Sequence, residues 1–130
     1  MIQLSNKIKP NGDYFSSGWI CINKAANMSS FDVVRKLRRI LSIKKLGHAG
    51  TLDPLATGIL PIAFGNATKT IPYLVSSKKK YRFSILWGVK TLSHDLEGKI
   101  IEKSDFIPTK EDILAVISKF KGESYQRPPK

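Results

Sequence analysis

The sequence of 130 residues contains a single cysteine, Cys21. One cysteine excludes an internal disulfide and a cluster of metal-binding thiolates, and it is typical of a reducing compartment. No apolar run approaches the roughly 20 residues that a membrane-spanning helix needs. Residues 1–17 lack the apolar core of a signal peptide. From these absences we expect a cytoplasmic protein with no membrane partner.

Acidic residues are scarce as well. The sequence has 10 Asp and Glu against 22 Lys and Arg, which gives a formal net charge of +12. A surplus of this size indicates a polyanionic partner, with nucleic acid ahead of a membrane surface. Charge alone leaves a merely solubilising surface as the alternative. With 42% hydrophobic and 25% charged residues, the composition is that of a folded protein.

The familiar cofactor and metal patterns are also missing. The sequence contains no P-loop and no Gly-x-Gly-x-x-Gly. His48 and His94 are far apart in the chain, and neither has a second ligand at metal-binding spacing. We therefore expect no cofactor and no metal ion.

The predicted strands and helices mix without a regular β-α-β alternation, which predicts an α+β fold. We predict strands over residues 18–23, 59–64, 81–87 and 99–102, and helices over residues 29–42, 67–75 and 109–121. Pro61 suggests that its strand lies at an edge or carries a bulge. The strands should form a mainly antiparallel mixed sheet flanked by helices, incomplete on its C-terminal side. Residues 1–17 are predicted to be a flexible arm and residues 18–130 part of one domain.

The first and last predicted helices share a start signal. Ser29 with Asp32 and Thr109 with Asp112 have the spacing of capping boxes. The first helix should point Phe31, Val34, Leu37, Ile40 and Leu41 inward, and the last Ile113, Leu114, Ile117 and Phe120, with Gly122 as its C-cap. Basic residues fall mostly off the first stripe and predict a surface for RNA phosphates, with a solvated face as the alternative. They are Arg35, Lys36, Arg38, Arg39, Lys44 and Lys45.

Three residues are candidates for chemistry or recognition. Asp53 stands before Pro54 in a glycine-flanked loop, where a carboxylate serves as nucleophile or general base or simply caps a turn. His48 is a candidate for an RNA contact or acid–base work, against the alternative of a packed histidine. Tyr81 stands among Lys78, Lys79, Lys80 and Arg82, which suits stacking on a base; core packing is the alternative.

A longer pattern surrounds these residues. Residues 47–61, Gly-His-Ala-Gly-Thr-Leu-Asp-Pro-Leu-Ala-Thr-Gly-Ile-Leu-Pro, resemble the catalytic signature of the TruB family of tRNA pseudouridine synthases. Residues 19–38 resemble the family's first motif, in which Lys-Pro leads through Gly-Met-Ser-Ser to a helix. Residues 65–69, 80–82 and 120–130 resemble its Gly-x-Ala-Thr-Lys, tyrosine-bearing and Gln-x-Pro-Pro segments. The resemblance covers about residues 15–130.

The resemblance implies isomerisation of the uridine at position 55 of the tRNA T loop to pseudouridine, without cofactor or metal. The base is flipped out of the folded loop into a pocket. Asp53 matches the catalytic aspartate, and Tyr81 matches the tyrosine that stacks on the uracil and assists proton transfer. His48 matches a histidine that contacts the T loop. Lys24 matches the lysine of Lys-Pro, which supports the pocket, and we group it with the RNA-binding residues. Loop support falls to Gly47, Gly50, Thr51, Pro54 and Gly58.

The chain departs from the family pattern in three places. Ala25 replaces the usual proline and Ala26-Asn27 replaces a lead that contains glycine, which is expected to loosen the loop around Lys24. Leu92 replaces an acid in the segment Thr91–Gly98. The family's arginine partner of Asp53 has no counterpart in the 130 residues. We therefore expect a truncated, monomeric chain that is weak or inactive alone, or alternatively a tRNA-binding remnant or folding helper.

Overall fold

The structure, a computed structural model, describes residues 17–123 and residue 125. The chain divides into two compact units, of which the first ends at Lys79 and the second begins at Lys80. The predicted N-terminal arm, apart from Ser17, lies outside the described residues, as does most of the segment after Glu123. No helix in the described part is long and apolar enough to cross a membrane. No three or more acidic, histidine or cysteine side chains cluster there.

The first unit is built on a three-stranded antiparallel sheet. Its strands are β1 (Gly18–Lys24), β2 (Leu46–His48) and β3 (Gly58–Phe64), in the order β1-β3-β2. Strand β3 pairs with β1 along its whole length, with Ile22 opposite Leu60, and with the short β2 at one end. The predicted strands over 18–23 and 59–64 are confirmed, and β2 is an addition to them.

Pro61 corrects one prediction, because β3 is the central strand and not an edge. Antiparallel pairing normally excludes proline there, since it has no N–H to donate. The carbonyl of Pro61 accepts from the Ala49 N–H at 2.9 Å, just beyond the last ladder pair of β2, His48 with Ile62. Proline has no N–H with which to return a bond to Ala49, so β3 is joined to the chain after β2 at this point through the Pro61 carbonyl alone.

Helix α1 (Ser30–Leu41) covers one face of this sheet. The Ser29 hydroxyl accepts a hydrogen bond from the Asp32 N–H, and the Asp32 carboxylate accepts one from the Ser29 N–H. The predicted capping box is therefore confirmed. The prediction that its apolar stripe points inward is only partly confirmed, because Val34 is buried whereas Phe31 and Ile40 are exposed. The core beneath the helix consists of Val33, Val34, Leu46, Leu60, Ile62 and Phe64.

The capping box gives α1 a measurable response to acid. Hydrogen bonds from the hydroxyl and the amide of Ser29, helped by the Arg35 charge, lower the pKa of Asp32 below its ordinary value of 3.8. A carboxyl with a lowered pKa stabilises the fold above its unfolded pKa, and this contribution is lost as the pH falls through the folded pKa. We expect Asp32→Asn to lower the free energy of unfolding at neutral pH and to match wild type at pH values well below 3.8.

Urea unfolding at a series of pH values measures this difference. Arg35→Gln is the matched variant, and it should keep most of the acid dependence because the bonds from Ser29 are the larger causes of the shift. A gap between wild type and Asp32→Asn that persists unchanged into strong acid would contradict the capping explanation.

A 3₁₀ helix (Gly65–Thr70) and helix α2 (Ile71–Val75) complete the first unit. Together they confirm the helical prediction for residues 67–75. Pro72 lies in the first turn of α2, where a missing N–H costs nothing.

The second unit contains a two-stranded antiparallel sheet and one helix. Strand β4 (Val89–Thr91) pairs with β5 (Ile100–Lys103), and α3 (Lys110–Ile117) runs into a 3₁₀ helix (Ser118–Phe120). The capping box of Thr109 and Asp112 forms as predicted. Gly122 follows the last turn with φ +85°, which fits its predicted role at the helix end. The sequence patterns missed β4.

Residues 81–87 do not form the predicted strand. Their alternating pattern is that of a strand, but no strand in the described part of the chain pairs with them, and without a hydrogen-bonded neighbour an extended segment is not part of a sheet. The alternating apolar side chains Tyr81, Phe83 and Ile85 are exposed. The prediction that the last helix points its apolar side chains inward is also wrong for three of them, since Leu114, Ile117 and Phe120 are exposed.

The segment Thr91–Gly98 forms an ordered turn despite Leu92, which is exposed. The Asp95 carboxylate accepts hydrogen bonds from the Ser93 hydroxyl and from the N–H groups of Glu97 and Gly98. These bonds lower the pKa of Asp95, with the Ser93 hydroxyl as the largest cause. The turn between β4 and β5 is thus closed by Asp95, and the missing acid at Leu92 is not needed for it.

Candidate active site

Asp53 lies in the loop between β2 and β3. Its carbonyl accepts from the Ala56 N–H at 3.0 Å, so the predicted turn at Asp53-Pro54 forms. The carboxylate takes no part in that turn. It is exposed, and the described residues contain two salt bridges, Asp32–Arg35 and Lys90–Glu102, which do not involve it. The backbone of Asp53 therefore closes the turn, which does not require its carboxylate.

The C-terminal flank of Asp53 is fixed through Pro54. The Pro54 carbonyl accepts from the Asn27 N–H at 2.8 Å and from Lys24 Nζ at 3.1 Å. Lys24 Nζ also donates to the carbonyls of Ala25 at 3.0 Å and Met28 at 2.7 Å. One side chain at the end of β1 thus ties the β1–α1 loop to the Asp53 loop.

This placement corrects the grouping of Lys24 with the RNA-binding residues. The side chain is 1% exposed, and an ammonium has three N–H donors, all of which go to backbone carbonyls. No donor remains for a phosphate. Lys24 instead holds the Asp53 loop from within the fold, through the Pro54 carbonyl.

The departures at Ala25 and Asn27 leave the loop around Lys24 with its hydrogen bonds formed. Ala25 contributes a carbonyl to Lys24, as any residue could. Asn27 has φ 62°, in the left-handed region that glycine prefers and asparagine tolerates better than most residues. The departure from glycine at this point is therefore met by a residue that keeps the turn and its N–H bond to Pro54.

The N-terminal flank of Asp53 is fixed through Leu52. The hydroxyl of Ser30 donates to the Leu52 carbonyl at 3.1 Å and accepts from the Leu52 N–H at 2.9 Å. The Leu52 side chain packs against the core of the first unit. The contact of Ser30 with Leu52 is not predicted by the sequence, and the capping box of α1 is made by Ser29 alone.

His48 ends β2 at the start of the same loop. Its Nδ1 lies 2.7 Å from the Gly50 carbonyl; because a carbonyl only accepts, Nδ1 donates this bond, and Nε2 is the remaining polar atom of the ring. Gly50 has φ +116° and Gly58 has φ +141°, values that side chains rarely adopt. Gly47 lies so close to Ile71 that a Cβ would stand 2.8 Å from its Cδ1. Thr51 is exposed.

The predicted basic surface is present on α1 and the segment after it. An open groove runs along the helix, with Arg35, Lys36 and Arg39 among its lining residues. Arg35 is partly engaged, since it pairs with Asp32 at 2.6 Å. The six basic side chains are all exposed: Arg35, Lys36, Arg38, Arg39, Lys44 and Lys45.

Tyr81 belongs to the second unit, where the residue is 62% exposed. It shares a shallow depression with Lys80, Arg82 and Phe83. The alternative of an aromatic packed into a core does not hold for this tyrosine. An exposed ring between cations remains suited to a nucleic-acid base.

Known proteins share both the sequence and the fold. The family model described as TruB family pseudouridylate synthase, N-terminal domain, matches residues 38–130. The tRNA pseudouridine synthase B of Caulobacter vibrioides is 50% identical over 113 residues, which are 87% of this chain and 36% of the relative. That of Ehrlichia chaffeensis is 50% identical over 112 residues, with coverages of 86% and 38%. The chain thus spans little more than a third of these relatives.

Two solved structures are similar to the fold. One is an H/ACA ribonucleoprotein bound to a substrate RNA containing 2'-deoxyuridine, with a TM-score of 0.55 and 27% identity over 87% of this chain and 30% of the other. The second is an archaeal box H/ACA Nop10-Cbf5 complex, with a TM-score of 0.57 and 31% identity over 87% and 31%. With the antiparallel sheets and flanking helices, they confirm the α+β prediction.

Proposed function

Since the chain belongs to the TruB family of pseudouridylate synthases, we propose that its Asp53 loop converts a uridine of tRNA to pseudouridine, with position 55 of the T loop as the target. The resemblance of residues 47–61 to the family's catalytic signature supports the target. The observation that carries the proposal is the Asp53 loop itself, in which both neighbours of Asp53 are hydrogen-bonded and the carboxylate is exposed.

The reaction is an isomerisation, so no co-reactant is required. The bond between N1 of uracil and C1′ of ribose breaks, the base turns, and a bond forms between C5 and C1′. The proton on C5 is released and N1 gains one, so that atoms balance. Asp53 acts on the ribose as nucleophile or on the base as general base, and in both cases the carboxylate must be ionised and unblocked.

The remaining site residues have supporting roles in this proposal. Tyr81 stacks on the flipped uracil and assists proton transfer, for which its exposed ring is suited. His48 contacts the T loop through Nε2, because Nδ1 is committed to the Gly50 carbonyl. The basic residues of α1 contact the tRNA backbone by charge. Cytoplasmic location, a monomeric state and the division at residue 17 stay predictions.

A binding function without catalysis is the second candidate, and the exposed basic surface of α1 favours it. In that case the chain holds tRNA, as a remnant or folding helper, and makes no product. Binding would weaken steeply with salt, since phosphate contacts release counterions. It would also survive Asp53→Asn unchanged, whereas product formation would be absent under every condition.

A tritium-release assay decides between the two. A T-stem-loop RNA labelled at C5 of uridine is incubated with the 130-residue chain, and with a chimera in which this chain replaces the matched segment of the Caulobacter vibrioides enzyme. We expect clear release by the chimera and weak or no release by the chain alone. Salt-dependent binding by both proteins without release by the chimera would overturn the catalytic proposal and favour the second candidate.

A further inference from the structure

We infer that Ser30 is a positioning residue, whose hydroxyl holds the backbone of the catalytic loop so that Asp53 presents its carboxylate in one direction. The inference rests on the proposed function of Asp53 for its catalytic meaning. Its structural basis is separate, because Ser30 touches Leu52 and not Asp53 itself.

The Ser30 hydroxyl is fully used by one residue of the loop. It donates to the Leu52 carbonyl and accepts from the Leu52 N–H, so a single side chain pairs with Leu52 much as a neighbouring strand would. Ser30 is 2% exposed, and water is poorly placed to replace these bonds. One of these bonds is made to the peptide unit before Leu52 and the other to the peptide unit after it. Together they fix the direction of the backbone as it enters Asp53.

The position of Ser30 shows that its role lies in the loop rather than in the helix. Ser29 is the N-cap and makes the capping box with Asp32. Ser30 is the first residue of α1, and its hydroxyl is bonded to Leu52, which lies 22 residues further along the chain. The core of the first unit thereby positions Asp53 through α1, since Val33 and Val34 anchor the same helix.

The two flanks of Asp53 are held by different groups. Leu52 is held by Ser30, and Pro54 is held by Lys24 and the Asn27 N–H. Losing the Ser30 hydroxyl should therefore release one flank while the other remains attached. The loop would stay in place, but the carboxylate would sample several directions. Displacement of a reacting group by about 1 Å is enough to cost roughly a hundredfold in rate.

The test measures backbone order at Asp53 in the full 130-residue chain by ¹⁵N relaxation. We expect the order parameter of the Asp53 amide to fall from about 0.85 to below about 0.6 in Ser30→Ala. Ser30→Thr keeps a hydroxyl and should retain the wild-type value. Ser29→Ala is the matched control, because it removes a neighbouring serine hydroxyl and the helix cap but leaves Leu52 bonded.

An unchanged order parameter in Ser30→Ala would overturn the inference. An equal loss in Ser29→Ala would also overturn it, since the effect would then come from the helix in general. In the chimera, we expect Ser30→Ala to lower kcat about 10- to 100-fold with KM unchanged, and Ser29→Ala to leave kcat unchanged. Absence of release by the unmutated chimera would contradict the proposed function, while the relaxation data would still decide the role of Ser30.

Discussion

Asp53→Asn is expected to abolish pseudouridine formation in the chimera and to leave the fold intact. An amide at this position keeps the shape of the side chain but removes the charge and the nucleophilic oxygen. Loss of the central group of a covalent or general-base mechanism typically costs at least about a thousandfold in kcat. Because the substitution leaves the proposed RNA contacts on α1 and at His48 untouched, the apparent affinity for the T-stem-loop should stay within about twofold.

The stability of the protein should not change with Asp53→Asn. The carboxylate is exposed and belongs to neither salt bridge of the described residues, and the turn depends on the Asp53 carbonyl. We expect the free energy of unfolding, measured by thermal denaturation, to stay within about 0.5 kcal/mol of the wild-type value. Asp105→Asn, at another exposed aspartate in irregular structure, is the matched control and should keep full release. Retained turnover in Asp53→Asn would remove Asp53 from the mechanism altogether.

The elements of the first unit could be predicted because their signals are local. The capping boxes require only residues three apart, and the strand periods of β1 and β3 appear within seven residues. The prediction of an edge strand at Pro61 was wrong, because the rule that proline avoids central strands depends on where the neighbouring strand ends. The end of β2 at His48 is a tertiary fact, which no pattern around Pro61 contains.

The second unit shows the opposite limit. Residues 81–87 have the alternation of a strand, but strand formation needs a partner that the period does not specify. The same holds for α3, whose apolar stripe predicts an inward face although Leu114 and Ile117 are exposed. Periodicity states that a face is apolar, whereas its burial depends on what packs against it.

The candidate site was predictable in its chemistry but not in its support. Asp53, His48 and the basic surface follow from residue type and context. The bonds of Lys24 and Ser30 to the Asp53 loop cross 30 and 22 residues of sequence, and a serine or lysine has many other roles. A signal for Ser30 was present, since Ser29 and Ser30 stand together at the start of a helix that needs one cap.

The second large effect is expected from Lys24→Met, which should destabilise the first unit by about 3 kcal/mol. Methionine matches the length of the lysine stem but donates no hydrogen bond. The carbonyls of Ala25, Met28 and Pro54 then lose the donor on which they converge, and a hydrogen bond to a charged group is worth about 1.5–3 kcal/mol. Pro54 keeps the Asn27 N–H, so the total stays below the sum of three such bonds.

Urea unfolding of Lys24→Met against wild type measures this loss, with Lys44→Met as the matched control on an exposed lysine. Lys44→Met should stay within about 0.5 kcal/mol of wild type. Lys24→Arg should not restore stability, because a planar guanidinium cannot direct its donors at three carbonyls grouped around one nitrogen. A Lys24→Met protein as stable as wild type would mean that the carbonyls are satisfied by water. In that case Lys24 would not be what holds Pro54, and the C-terminal flank of Asp53 would depend on the Asn27 N–H.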